Sequence, residues 1–274
     1  MRVAAIQMAS GSSISGNLHE TEKLISEAVS DGAEMVVLPE NFGMIGIKQE
    51  DVVEYCEKPG AGTLQDFLAE QAKRHSVIIA GGTIPLQSDD RSRYRNTLQV
   101  YDKQGECIAH YDKIHLFDVS LPDVDESYNE SAVIQPGSSV VVVEVGGIKL
   151  GLAICYDLRF PELFRLLVDK GAEIILLPSA FTAATGKAHW HALLKARAIE
   201  NLCFVVAPAQ GGYHVNGRET YGHSLIVDPW GNVLDEIDSG SGFAIAELNL
   251  FQQQHLREHF PVLSHRKFFV SEAE

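Results

Sequence analysis

Three reactive side chains fall just after stretches that read as strands, where α/β folds place their sites. Glu40 follows Val36-Val37-Leu38-Pro39, and Lys113 follows a strand ending at Tyr111. Cys155 closes Leu150-Gly151-Leu152-Ala153-Ile154, shortly before Pro161 opens a helix. A cysteine on a strand-to-helix turn is the analogue of a nucleophile elbow, its thiol presented near backbone N–H groups. The chemistry open to such a set is nucleophilic catalysis. A thiol of pKa near 8.5 is only about 3% thiolate at pH 7, so it needs a base or a positive neighbour. Singly, each residue has a blander reading. A lone strand cysteine is usually inert core, and Cys56, Cys107 and Cys203 keep that reading. A lone glutamate after a strand is usually a cap or a solvated carboxylate, and a lone lysine a surface charge.

The elements that must position these groups alternate along the whole chain. Apolar runs at 3–8, 34–39, 77–80, 97–102 and 106–111 read as strands, with Asp102-Lys103-Gln104-Gly105 as a hairpin turn. Further strands are expected at 140–145, 148–154, 173–177, 203–207, 223–227, 232–237 and 243–248. Leu18, Leu24, Ile25, Ala28 and Val29 mark a helix face, with Asn17 and Glu20 as a capping-box-like start and Gly32 as its stop. Helices are also predicted over 63–75 with Thr63 as cap, over 161–170 with Gly171 as stop, and over 187–202. One echo stands out: Gly32-Ala33-Glu34-Met35-Val36-Val37-Leu38-Pro39 returns as Gly171-Ala172-Glu173-Ile174-Ile175-Leu176-Leu177-Pro178. Each copy is a helix stop and a buried strand closed by proline, so two similar α/β halves are expected to pack together, strands inside and helices outside. No Pro/Ser-rich linker parts them, so residues 1–274 are taken as one domain, with the polar tail from about 250 docking on a neighbouring subunit.

Composition narrows the function classes. With 22 basic against 37 acidic residues the formal charge is −15, which repels phosphate backbones and anionic lipid. No run of 18 apolar residues is present, and the opening Met1-Arg2-Val3-Ala4-Ala5-Ile6-Gln7 lacks the features of a signal peptide. Four dispersed cysteines without a CxxC pair argue against disulfide scaffolds and zinc ribbons. The expectation is a cytoplasmic protein with no nucleic-acid or membrane partner.

Leu38-Pro39-Glu40-Asn41-Phe42, Tyr111-Asp112-Lys113-Ile114-His115-Leu116-Phe117-Asp118 and Gly151-Leu152-Ala153-Ile154-Cys155-Tyr156-Asp157-Leu158-Arg159-Phe160-Pro161-Glu162-Leu163 resemble the Glu, Lys and Cys motifs of the nitrilase (carbon–nitrogen hydrolase) superfamily, in family order. The resemblance runs from Val3 to Lys267. It implies a four-layer α-β-β-α sandwich and a homo-oligomer, dimer or tetramer. It further implies that Glu40 takes the proton of Cys155 and later delivers it to ammonia, with a thioester between. Lys113 and the Tyr156 backbone N–H would receive the oxyanion, each such donor contributing on the order of 10²- to 10³-fold. Glu130 in Tyr128-Asn129-Glu130-Ser131, rather than Glu126, matches the family's second glutamate and would hold Lys113.

The segments around His189-Trp190, Ala196-Arg197-Ala198 and Gly217-Arg218-Glu219-Thr220-Tyr221-Gly222-His223-Ser224 look like the Nit branch, which holds deaminated glutathione amidases and omega-amidases. Residues 207–231 resemble the former more. That likeness would put Arg159 on a substrate carboxylate, with Phe181 and Thr185 lining the acyl pocket, although a buried ion pair explains Arg159 equally well. The reading is a cofactor-free, metal-free amidase for a small-molecule amide. Its rivals are an omega-amidase, an N-carbamoyl amidase and a catalytically silent binding protein on the same fold. His255-Leu256-Arg257-Glu258-His259 matches H-x-x-E-H, but a zinc site needs a third ligand usually found well downstream. His189 and His191 straddle Trp190 and face different sides of their helix.

Overall fold

The computed structural model describes residues 1–121 and 126–271. Its first half lays down β1 (Arg2–Gln7), α1 (Ile14–Ser30), β2 (Met35–Val37), α2 (Thr63–His75), β3 (Ile78–Ala80), β4 (Ile84–Gln87), β5 (Tyr94–Tyr101) and β6 (Cys107–Asp112). A small antiparallel pair, β7 (Asp118–Leu121) and β8 (Glu126–Asn129), follows. Next come β9 (Val142–Val145), β10 (Ile148–Leu152), α3 (Pro161–Asp169), β11 (Ile174–Leu176), α4 (Ala183–Asn201) and β12 (Phe204–Ala207). The chain then adds β13 (Gly211–Tyr213), β14 (Glu219–Tyr221), β15 (Ser224–Val227), β16 (Val233–Ile237), β17 (Gly242–Glu247) and α5 (Leu250–His259).

Two sheets form. One has the order β17-β1-β2-β3-β5-β4, with β6 on β5; the other runs β16-β15-β12-β11-β10-β9. Successive residues of the central strands serve different layers. Met35 and Val37 of β2 share a cluster with Leu150, Leu152 and Ile174 of the opposite sheet, while Val36 between them joins Leu24, Ile25 and Leu68 of α1 and α2. Ile78, Ile79 and Ala80 divide in the same way. Burial on both faces is why these strands read as continuous apolar runs rather than alternating ones. Leu163, Phe164 and Leu167 of α3, with Trp190 and Leu194 of α4, cover the second sheet. The layers are therefore helix, sheet, sheet, helix, the α-β-β-α sandwich expected from the sequence.

The sequence echo is a structural one. Gly32 and Gly171 both take left-handed φ, 90° and 94°. Their N–H groups close the preceding helices on Val29 O and Val168 O, and Ala33 and Ala172 reach back to Ala28 O and Leu167 O. Each turn drops its chain into a parallel strand, β2 beside β1 and β11 beside β10.

Local expectations failed where a distant group took over. Helix α1 starts at Ser13, whose hydroxyl accepts from the Gly16 N–H. Asn17 is instead buried inside the helix, its side chain tying Gly11 to the Gly43 carbonyl. Helix α2 is not capped by Thr63; the Glu57 carboxylate receives the Leu64 and Gln65 N–H groups from 7 and 8 residues upstream. Helix α4 starts at Ala183, four residues before the expected start, because the Thr182 hydroxyl caps Thr185 N–H. Strand β4 escaped notice because it is short, lies at a sheet edge and carries Pro85. Helix α5 of the tail lies on its own chain, which leaves the docking expected of the tail untouched: Gln253 donates to Glu173 O and Leu202 O, and Arg257 to Leu202 O and Ala172 O. Beyond it Phe268 and Phe269 stand exposed. Among the described residues no helix is long and apolar enough to cross a membrane.

Candidate active site

Glu40 leaves the end of β2, where Leu38 N–H still pairs with Ala80 O of β3. The next residue, Asn41, turns left-handed (φ 57°) and donates its N–H to the Thr83 hydroxyl, so the carboxyl group is set by a rigid corner. Lys113 comes one residue after β6, its N–H bound to Asn96 O. Glu130 opens a short 3-10 turn after β8. These three meet. The fully buried Lys113 Nζ lies 2.9 Å from Glu40 Oε1 and 2.9 and 3.0 Å from the two Glu130 oxygens. Asn96 Nδ2 also donates to Glu40 Oε1 at 3.0 Å, and Phe117 N–H to Glu130 Oε2 at 2.8 Å. An uncompensated ammonium here would be very costly, so the two carboxylates are what make its burial possible.

Cys155 starts the 3-10 turn that joins β10 to α3 and takes a left-handed φ of 48°, a conformation non-glycine residues rarely hold without reason. Its N–H is fixed on Pro178 O, beyond β11. The turn is locked by Asp157, a fully buried carboxylate that accepts four hydrogen bonds. Its Oδ2 receives Tyr111 OH and Ile154 N–H, and its Oδ1 the backbone N–H and Nδ1 of His115. One side chain thus ties the residues flanking Lys113 to the residue before Cys155. Arg197 of α4 braces the same turn from behind by donating to Leu158 O. Sequence reasoning missed both; an aspartate inside the Cys motif was visible, its partners 42 and 46 residues away were not.

Cys155, Glu130, Tyr156, Phe181 and Thr185 line one narrow cavity together with Phe117 and Arg218. Its free space, about 10 Å³, holds roughly one water. Burial, and then the Glu40 charge, push the Cys155 thiol well above its ordinary pKa, with Lys113 pulling the other way. Burial works to lower the Lys113 pKa, but Glu130 and Glu40 outweigh it and hold it well above the usual lysine value. Burial and the Glu40 charge thus favour the protonated thiol at rest, beside Lys113 and its two glutamate partners. That arrangement can form a thioester only if a base takes the thiol proton as the sulfur attacks.

Of the other anticipated residues, Phe181 and Thr185 face the cavity, whereas Arg159 is not among its walls. The Arg159 guanidinium lies 5.5 Å from the Phe181 ring centroid and 3.3 Å from His189 Nδ1. The cation on the cavity wall is Arg218, which donates to Ala180 O and lies over the Tyr128 ring. A much larger cavity, about 650 Å³, is a groove over β5 and β6 that none of the four central groups reaches. Among the described residues, two clusters have metal-ligand character. His191 Nε2 and His223 Nδ1 both meet Glu236 Oε1, at 2.8 and 2.7 Å, and the exposed His255, Glu258 and His259 converge on α5. His191 and His189 do face apart, but His191 finds its partner on another element, which the helix spacing alone did not reveal.

Comparison with known proteins follows the same lines. The carbon–nitrogen hydrolase family model matches residues 2–258. The chain is 43% identical over 268 residues to the deaminated glutathione amidase of Synechocystis sp., with 97% of each chain covered. The solved structure of the C. elegans NitFhit protein gives a TM-score of 0.89 at 37% identity, over 97% of this chain and 65% of that one. Saccharomyces cerevisiae Nit3, described as a member of branch 10 of the nitrilase superfamily, gives 0.87 at 31% identity, over 98% and 97%.

Proposed function

The chain belongs to the carbon–nitrogen hydrolase family, and from that premise we propose a thiol amidase acting on the amide of a 2-oxo acid, with deaminated glutathione as its substrate. The observation that carries this reading is one buried ammonium held by two carboxylates beside a cavity whose wall bears a strained cysteine turn. Glu40 takes the thiol proton as the Cys155 sulfur attacks the amide carbon. The carbonyl oxygen gains the charge and is met by Lys113 and the Tyr156 N–H. The C–N bond then breaks, Glu40 protonates the departing nitrogen, and a thioester remains. Water, deprotonated by Glu40, releases the acid and restores the thiol. Glu130 holds the ammonium in place throughout. General acid–base work of this kind contributes on the order of 10²- to 10⁴-fold.

The substrate assignment rests on the likeness to deaminated glutathione amidases over nearly the whole chain. The departing nitrogen decides the product: a primary omega-amide releases ammonia, while deaminated glutathione releases the amine of cysteinylglycine. An ammonia assay alone would therefore miss the proposed reaction. A homo-oligomer joined through the exposed Phe268 and Phe269 end, in the reducing cytoplasm that free cysteines suit, completes the proposal.

The test is release of acid and amine from 2-oxoglutaryl-cysteinylglycine, 2-oxoglutaramate and an N-carbamoyl amino acid, beside Cys155→Ala. Full activity of Cys155→Ala on every substrate would remove the nucleophile; turnover of the carbamoyl compound alone would remove the oxo-acid amide.

A further inference from the structure

A second cavity of about 140 Å³ adjoins the one over Cys155. The two share Glu130 and Arg218 as common walls. Its remaining lining includes Asn41, Met44, Lys48 and Asn96. It opens on the Glu40 side of the site: Asn41 follows Glu40 in the chain, and Asn96 hydrogen-bonds the Glu40 carboxylate. In an amide hydrolysis the acyl chain lies with the thioester sulfur and the departing nitrogen faces the proton donor. The geometry thus separates the two halves of a substrate, the acyl part beside Cys155, Tyr156 and Phe181, the amine part beyond Glu40.

Among the charged groups that line the second cavity, cations outnumber the one carboxylate, Glu130. Two cations, Lys48 and Arg218, line it. The Arg218 Nη2 is used on Ala180 O, but among the described residues its buried Nε–H has no acceptor, an arrangement that costs stability unless something completes it. The Tyr128 ring covers one face of the guanidinium, so an anion meets the remaining donors at the edge of the group. Met44 and Ile45 add apolar surface to the same lining. We infer that this cavity is a leaving-group subsite for an amine bearing a carboxylate, with Lys48 and Arg218 as its anion partners and Met44 and Ile45 against its side chain. The inference rests on the amidase reading above and adds that the enzyme selects its substrate by the amine as well as by the acid.

The experiment compares three substrates with one acyl group: 2-oxoglutaramate, 2-oxoglutaryl-cysteinylglycine, and the same compound with its terminal carboxylate converted to carboxamide. The wild type is expected to favour the free carboxylate over the carboxamide by about 10- to 100-fold in kcat/KM, the range of a charge-assisted hydrogen bond. Lys48→Ala and Arg218→Gln should each cut that ratio, and the pair should bring it close to one, while Lys103→Ala on the distant β5–β6 turn leaves it alone. A wild-type ratio of one, or a ratio untouched in the double variant, overturns the subsite. Turnover of 2-oxoglutaramate with a ratio of one rejects the subsite and spares the amidase; no turnover of any amide rejects the amidase. Calorimetric binding of free cysteinylglycine to Cys155→Ser reads the subsite without turnover. It should weaken at least about tenfold with Arg218→Gln and with the dipeptide carboxamide, and equal binding in all cases again overturns the inference.

Discussion

Replacing Glu40 by glutamine isolates basicity from geometry. The new amide carbonyl can still accept from Asn96 and Lys113, which reach Glu40 Oε1 at 3.0 and 2.9 Å. Lys113 also keeps Glu130 at 2.9 Å, so no buried charge is left without a partner. Breaking a buried pair outright costs about 3–5 kcal/mol, but here the loss of stability should stay within about 1–2 kcal/mol. Activity is another matter. An amide nitrogen cannot take the thiol proton, so kcat/KM should fall by about 10²- to 10⁴-fold, or about 2.7–5.5 kcal/mol of transition-state stabilisation. The residual rate carries a signature. Burial holds the thiol above its usual pKa, and with the Glu40 carboxylate gone the thiolate must form through solvent. The variant's kcat/KM should therefore climb about tenfold per unit from about pH 7 to pH 9. Steady-state kinetics across that range, with circular dichroism to establish folding, checks both parts. A folded Glu40→Gln enzyme retaining more than about a tenth of wild-type kcat/KM at pH 7 would refute the assignment of Glu40 as base.

Other positions give separate tests. Asp157→Asn sets an amide N–H against the Ile154 N–H that Oδ2 accepts in the parent chain, leaving buried donors unmatched at a cost of about 2–3 kcal/mol. For a chain of this size that is a drop in Tm of roughly 4–12 °C by calorimetry, with kcat falling as the cysteine turn loosens; an unchanged Tm would deny the lock. Gly186→Ala should destabilise despite its better helix propensity, worth about 1 kcal/mol, because a Cβ there would lie 2.3 Å from the Tyr221 Cβ; a raised Tm would show that α4 can shift away. His214 is held neutral by burial, its pKa lowered. The unfolded chain protonates near pH 6.5 and the folded one only at lower pH, so stability falls as pH drops through that value, by at most about 1.4 kcal/mol per unit. His214→Gln should flatten this slope in urea titrations between about pH 7 and 5; an unaltered slope would place the linkage elsewhere.

Much of the architecture was legible because its causes are local. Both copies of the Gly-Ala-Glu strand carry a glycine where a left-handed turn is needed, and both strands are apolar throughout because each is covered on two sides. The types and order of Glu40, Lys113, Glu130 and Cys155 were likewise written in the chain, since the words around them are specific.

What the chain could not disclose by itself is which groups answer one another across distance. That Lys113 is wholly buried depends on Glu40, 73 residues away, and Glu130, 17 residues on. That Arg218 rather than Arg159 walls the cavity depends on where the segment joining β13 to β14 comes to rest against Ala180. Helix caps moved for the same reason, Glu57 displacing Thr63 at α2. Propensity and spacing act through neighbours in sequence, whereas desolvation, charge pairing and close approach act through space, and only the packed sheets bring those partners together.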